Sequence, residues 1–95
     1  MQTEDSKRAI VTVIGIDHIG IIAKITGKLA ERNANILDIT QTIMEDIFTM
    51  SMVIDYAKAS VAFDQLKEEL VAIGTEIGLE IHAQREDIFR YMHRI

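Results

Sequence analysis

The chain has 95 residues, 48% hydrophobic and 26% charged, a balance that supports one small core and argues against disorder. Fifteen acidic residues against ten basic ones leave a net charge of −5, so nucleic acid and anionic membrane are not expected as direct partners, both requiring a cationic field. Cysteine is absent, which removes disulfides, thiolate nucleophiles and cysteine-based metal clusters and fits a reducing, cytoplasmic location.

Residues 1–7 read as a disordered lead-in, polar and charged and unlike a signal peptide. The apolar runs that follow are far shorter than the ~18 residues needed to span a bilayer. Arg8–Ile14 is rich in β-branched residues and of strand length. Gly15–Gly20 is a turn bounded by two glycines. Ile21, Ile22, Ile25 and Leu29 then mark one face of a helix, with Lys24, Lys28, Glu31 and Arg32 on the other. Gly27 interrupts that helix, either as a flaw of roughly 1 kcal/mol against alanine or as a point of close approach to a strand. Asn33-Ala34-Asn35 stops it, since Asn tolerates the left-handed conformation of C-caps.

Ile36–Ile43 reads as a second strand and Met44-Glu45-Asp46 as a hairpin turn. Ile47–Asp55 alternates cleanly, with Phe48, Met50, Met52 and Ile54 facing one way. Tyr56–Ala59 is a loop. Ser60 is a candidate N-cap for a helix carrying Phe63, Leu66, Leu70 and Ile73, ended by Gly74 or Gly78. Leu79–Gln84 reads as a fourth strand. Residues 85–95 form a C-terminal helix with Ile88, Met92 and Ile95 at i, i+4 and i+7.

This order predicts an α+β fold, the ferredoxin-like βαββαβ sandwich, over residues 8–84. Right-handed crossovers put the first and third strands at the centre of a four-stranded antiparallel sheet. Two helices cover one face. The other face would carry Thr12, Thr40, Thr42, Thr49, Ser51 and His82 interleaved with Ile10, Ile47 and Val53, a half-apolar surface that suggests contact with another subunit.

Fold alone does not decide function, but several chemistries built on this plan are excluded by the residues. An RNA-recognition domain needs exposed aromatics on its third strand, whereas Phe48 alternates onto the core side. A metal chaperone needs a cysteine pair in the first loop. An acylphosphatase-like site needs an arginine there, and Gly15–Ile22 has none. What remains is the loop itself. It leads into a helix N-terminus, whose unpaired amides suit a carboxylate. Gly20 leaves the backbone open to a ligand, and Asp17 can accept from an ammonium group. A free amino acid matches both, while the same residues also serve as an ordinary tight strand–helix turn.

The stretch Val13-Ile14-Gly15-Ile16-Asp17-His18-Ile19-Gly20-Ile21-Ile22, followed by Asn33-Ala34-Asn35-Ile36, resembles the ACT domain family, small regulatory modules that commonly bind amino acids at subunit interfaces. Ile39-Thr40-Gln41-Thr42, Phe48-Thr49-Met50 and the terminal Asp87–Met92 resemble a subgroup of stand-alone single-ACT proteins. Halves of the glycine cleavage system repressor are also similar. The resemblance implies a homodimer or higher homo-oligomer. Its ligand site would be built from Asp17, His18, Ile19 and Gly20 of one subunit and Asn35, Ile36 and Leu37 of a neighbour. On that reading Gly20→Val abolishes binding without unfolding the protein.

His18, His82 and His93 have no chelating spacing, so neither a metal nor a cofactor is expected. His18 would tune binding with pH. Glu45-Asp46 and Glu68-Glu69 read as solvated charges, and Met50 and Met52 as core. No catalytic constellation appears, so an enzyme is not expected. Two functions remain: a small-molecule sensor working through linkage between ligand and subunit interface, and a ligand-independent module docking on an enzyme or transcription regulator through its open face and terminal helix.

Overall fold

The computed structural model describes residues 7–16 and 20–86. Asp17, His18, Ile19, residues 1–6 of the expected lead-in and the expected C-terminal helix beyond Glu86 lie outside them. The elements follow as β1 (Arg8–Ile16), α1 (Ile21–Glu31), β2 (Asn35–Met44), β3 (Ile47–Asp55), α2 (Phe63–Ile77) and β4 (Glu80–Arg85). The sheet order is β2-β3-β1-β4, antiparallel throughout. This is the expected ferredoxin-like plan, with β1 and β3 at the centre.

Alternation builds the core. Ala9, Val11 and Val13 of β1, Phe48, Met50, Met52 and Ile54 of β3, and Ile81 and Ala83 of β4 are buried on one face of the sheet. The register sets Val11 between Met52 and Ala83, and Val13 between Met50 and Ile81. Over them lie Ile21, Ile25 and Leu29 of α1 and Leu66 and Leu70 of α2, at helical spacing. Among the described residues no polar or charged side chain is buried, so hydrophobic burial on the order of 25 cal/mol per Å² carries the fold.

The helix ends show where local signals held and where they were outbid. At the C-terminus of α1, Asn33 adopts φ 63°, and the N–H groups of Asn33 and Ala34 donate to the carbonyls of Ala30 and Leu29 at 3.0 and 2.9 Å. This is a Schellman closure, with asparagine in the left-handed position. Ser60, by contrast, does not cap α2. Its N–H and Oγ both donate to the Arg32 carbonyl, at 2.8 and 3.4 Å, so Ser60 closes the end of α1 and α2 begins at Phe63 with Ala62 as N-cap. The Arg32 guanidinium then reaches across to Glu69 of α2 with two bonds, of 2.7 and 2.9 Å.

Two glycine alternatives are resolved. Gly74 does not end α2, which continues to Ile77 and closes on Gly78 at φ 80°. Close approach occurs at Gly74 and Gly15, not at Gly27. A Cβ on Gly74 would lie 2.8 Å from the Leu79 carbonyl oxygen and 2.9 Å from Ile81 Cγ1; one on Gly15 would collide with Leu79 Cδ2; around Gly27 the space is open. β1 also extends two residues beyond its expected end, because Gly15 and Ile16 continue the ladder opposite Phe48 and Ile47.

The helices do not cover the whole sheet. They cover β1, β3 and β4, while all of β2 except Ile36 is exposed on both faces. On the helix-free face Thr40, Thr42, Thr49, Ser51, Ile47 and His82 are exposed, and Thr12, Ile10 and Val53 are half-buried, as alternation requires. Cross-strand rows run Thr40–Ser51–Thr12–His82 and Thr42–Thr49–Ile14–Glu80.

Candidate functional site

Gly20 is the N-cap of α1, with φ 94° and ψ −2°. A residue with a Cβ is strained there. Glycine also brings no side-chain oxygen, and the first turn of α1 contains no acidic residue. Among the described residues the leading amides of this helix therefore have no side-chain cap. Apart from Gly20 and its chain neighbours, no described residue lies within 4 Å of where a Gly20 Cβ would be, so the space on that side of Gly20 is open. An N-terminus of this kind attracts negative charge through its free N–H groups and the helix dipole.

The conformation of Gly20 changes how the site is to be probed. Valine at φ 94° is strained by its β-branch regardless of space, so Gly20→Val would perturb the loop as well as any ligand. Asparagine tolerates the left-handed region better than other residues with a side chain and would fill the same opening with less strain.

Asn35, Ile36 and Leu37 are the first three residues of β2. Asn35 is exposed and opposes Asp55 of β3. Ile36 is half-buried and packs on the core. The register of β2 against β3 shifts between Ile36 and Asp38, leaving Leu37 as the extra, exposed residue of a bulge. Bulges of this kind re-aim side chains at sheet edges.

The two halves of the expected site lie at opposite ends of one sheet. Asn35 pairs with Asp55, and Asp55 pairs with Arg8, the first residue of β1. Gly20 follows Ile16, the last residue of β1. Eight strand steps separate Arg8 from Ile16, or about 26 Å at ~3.3 Å per residue. A single copy of the chain therefore does not bring Gly20 and Asn35–Leu37 together.

Beside Asn35 lies a cleft of about 380 Å³ lined by Asn33, Asn35, Asp55, Ala57 and Lys58. Asn33 Nδ2 donates to the Lys58 carbonyl at 2.9 Å, and the Ala57 N–H donates to Asp55 Oδ1 at 2.9 Å. Asp55 and Lys58 were not singled out from the sequence. A strand end and a loop carry no period, and only the fold brings Asn33 to Lys58. A second, larger cleft of about 540 Å³ runs along α2 between Asp64, Lys67, Glu68, Val71 and Ala72. His82 is exposed on the open face, with Nε2 3.4 Å from Glu80 Oε1. No described helix is long and apolar enough to cross a membrane.

The family model described as "ACT domain" matches residues 7–84. A UPF0237 protein of Methanocaldococcus jannaschii is 54% identical over 88 residues, covering 93% of this chain and 98% of its own. The solved structure of an ACT domain protein from Streptococcus pneumoniae superposes with a TM-score of 0.76 at 38% identity, over 88% of this chain and 94% of that one. A putative glycine cleavage system transcriptional repressor superposes with a TM-score of 0.75 at 20% identity, over 84% of this chain and 46% of the repressor; at that identity the likeness is one of fold.

Proposed function

The chain belongs to the ACT domain family, and from that premise we propose that it is a non-enzymatic, cytoplasmic regulatory protein that binds a free amino acid, or a related small acid, between two subunits. The observation that carries this reading is the uncapped, open N-terminus of α1 at Gly20, set a sheet's length away from the exposed Asn35–Leu37 segment. A ligand that needs both must be held by two copies. Its carboxylate would take the amides following Gly20, its ammonium group would donate to Asp17, and His18 and Ile19 would complete the loop side of the site. Asn35, Ile36 and Leu37 of the neighbour would close over its other side.

Regulation would follow from linkage. A ligand shared by two subunits binds one arrangement of them better than another and shifts the population toward it. Gly20→Asn, which keeps the left-handed backbone and places a side chain over the amides, is expected to abolish binding and leave the fold intact.

A thermal-shift panel of the free amino acids tests the reading. A ligand at 100 times its dissociation constant adds about 2.7 kcal/mol, which for a domain of this size is on the order of ten degrees. One compound that raises the melting temperature of the wild type and leaves Gly20→Asn unmoved supports the site. A second reading, a docking module that needs no ligand, is favoured by the exposed hydroxyl rows of the open face. It gains if no compound shifts the melting temperature and a partner is retained with or without amino acids.

A further inference from the structure

Three clefts lie along one flank of the molecule and share a residue. The cleft of about 540 Å³ on α2, a second of about 220 Å³ between the start of α2 and the end of β4, and a third of about 530 Å³ along β4 are all lined by Lys67. Val71, 38% exposed, lines the first and the third. The three therefore make one groove. Asp64, Glu68 and Ala72 form its α2 wall, and His82, Ala83 and Gln84 its β4 wall.

The last described residues lead the chain into this groove. Arg85 lines the same cleft as Phe63 and Asp64, so β4 finishes beside the first turn of α2. Glu86 follows with helical backbone. Its carboxylate is held in place: Arg8 Nε and Nη2 donate to Oε1 and Oε2 at 3.0 Å each, and the Glu86 side chain is only 14% exposed. A two-pronged pair of this kind fixes direction as well as distance. Beyond it the sequence continues through residues 87–95.

We propose that residues 87–95 dock on α2 of their own chain, as a helix that enters the groove at Asp64, runs parallel to α2 and ends level with Ala72. The proposal goes beyond the ligand reading and does not depend on it.

Length, pattern and charge each match. Residues 87–95 as a helix would extend about 13 Å, and the stretch of α2 from Asp64 to Ala72 extends about 12 Å. Ile88, Met92 and Ile95 recur at helical spacing, and the groove offers Val71 and Ala72 between its charged residues. Arg90 and Arg94 are four residues apart, as are Asp64 and Glu68. With Asp87 level with Asp64, each arginine would stand three residues past an acid. Helical side chains lean toward the N-terminus of their helix, so Arg90 would lean back toward Asp64 and Arg94 toward Glu68. Lys67 would lean back toward Asp87 in the same way. Glu86 and Asp87 in the first turn also suit the positive end of the helix dipole.

A covering helix is one of the ways in which natural proteins keep a sheet edge from pairing, and here it would cover the β4 edge. The terminal segment would then be occupied within its own chain. A docking partner would meet the helix-free face of the sheet instead.

Because the chain has no cysteine, introduced pairs report directly on where the segment lies. The double variant Val71→Cys, Met92→Cys should lose both thiols in a glutathione redox buffer while still running at 10.7 kDa on a non-reducing gel. The double variant Ser51→Cys, Met92→Cys, with Ser51 exposed on the helix-free face, should keep both. A second measurement needs no disulfide. Trypsin cuts after Arg90, and the double variant Asp64→Asn, Glu68→Gln, with an unchanged far-UV spectrum, should be cut there several-fold faster than the wild type under native conditions. Retained thiols in the Val71 pair, linking through Ser51→Cys, a linked species of twice the chain mass, or equal cleavage rates would overturn the proposal. The twofold mass would place the segment on a second copy, and the Ser51 link would place it on the open face.

Discussion

Gly27 and Gly74 both lie inside helices, and alanine at the two positions should act with opposite sign. Gly27 is exposed in the middle of α1, and a Cβ there meets nothing within 4 Å. Gly27→Ala should therefore gain most of the helix-propensity difference, about 0.5–1 kcal/mol. That raises the melting temperature by about 2–8 °C for a domain of this size. Gly74 is buried, and its Cβ would sit 2.8 Å from the Leu79 carbonyl oxygen and 2.9 Å from Ile81 Cγ1. Ile81 can rotate, but the Leu79 carbonyl is backbone. It is held near by the Leu79 N–H, which donates to the Gly74 carbonyl at 2.7 Å. Overpacking of this kind costs about 1–3 kcal/mol, which exceeds the propensity gain, so Gly74→Ala should lose about 1–2 kcal/mol net. Urea unfolding of both variants at equal protein concentration reads the difference as opposite displacements of the midpoint with an unchanged slope. A Gly74→Ala protein as stable as the wild type would refute the close-approach argument. A destabilised Gly27→Ala would refute the claim that its surroundings are open.

Other substitutions test separate parts of the fold. The Arg32 guanidinium, bonding both carboxylate oxygens of Glu69, holds that carboxyl below the usual carboxylate range, with Gln65 assisting; this stabilisation is present above the unfolded pKa of about 4.3 and is lost as pH falls through the lower folded value. The stability gap between wild type and Glu69→Gln should therefore close on acidification, and a gap that widens at low pH in melting curves would contradict the assignment. Asn33→Gly should keep the left-handed turn at φ 63° and lose only the bond to the Lys58 carbonyl, whereas Asn33→Val should cost more than that bond by adding backbone strain; equal melting temperatures for the two would refute this. Ile25→Ala, at a fully buried position on α1, should cost about 2–5 kcal/mol, measurable as a lowered urea midpoint, and a loss below 1 kcal/mol would mean the helix is not anchored there.

The elements, their order and the buried face of each were legible in the residues because they rest on local periods. Alternation across Ile47–Asp55 and helical spacing through Ile21, Ile25 and Leu29 hold whatever surrounds them, and the Asn33 C-cap needs only its own backbone. The family resemblance carried by Val13–Ile22 and Asn33–Ile36 was legible for the same reason, as a contiguous pattern. Tertiary structure decided the competitions. Ser60 had the chemistry of an N-cap, but the Arg32 carbonyl, distant in sequence and adjacent in space, took both its N–H and its hydroxyl. Gly74 and Gly78 both read as candidate terminators, and the choice fell to Gly78 because Leu79 and Ile81 fold back over Gly74, which nothing local announces. The exposure of β2 on both faces depends on where two helices lie across a sheet, and that is a property of packing rather than of any strand's own pattern. So does the separation of Gly20 from Asn35: fifteen residues apart in the chain, they stand at opposite ends of the sheet because α1 carries the chain back along β1 before β2 begins.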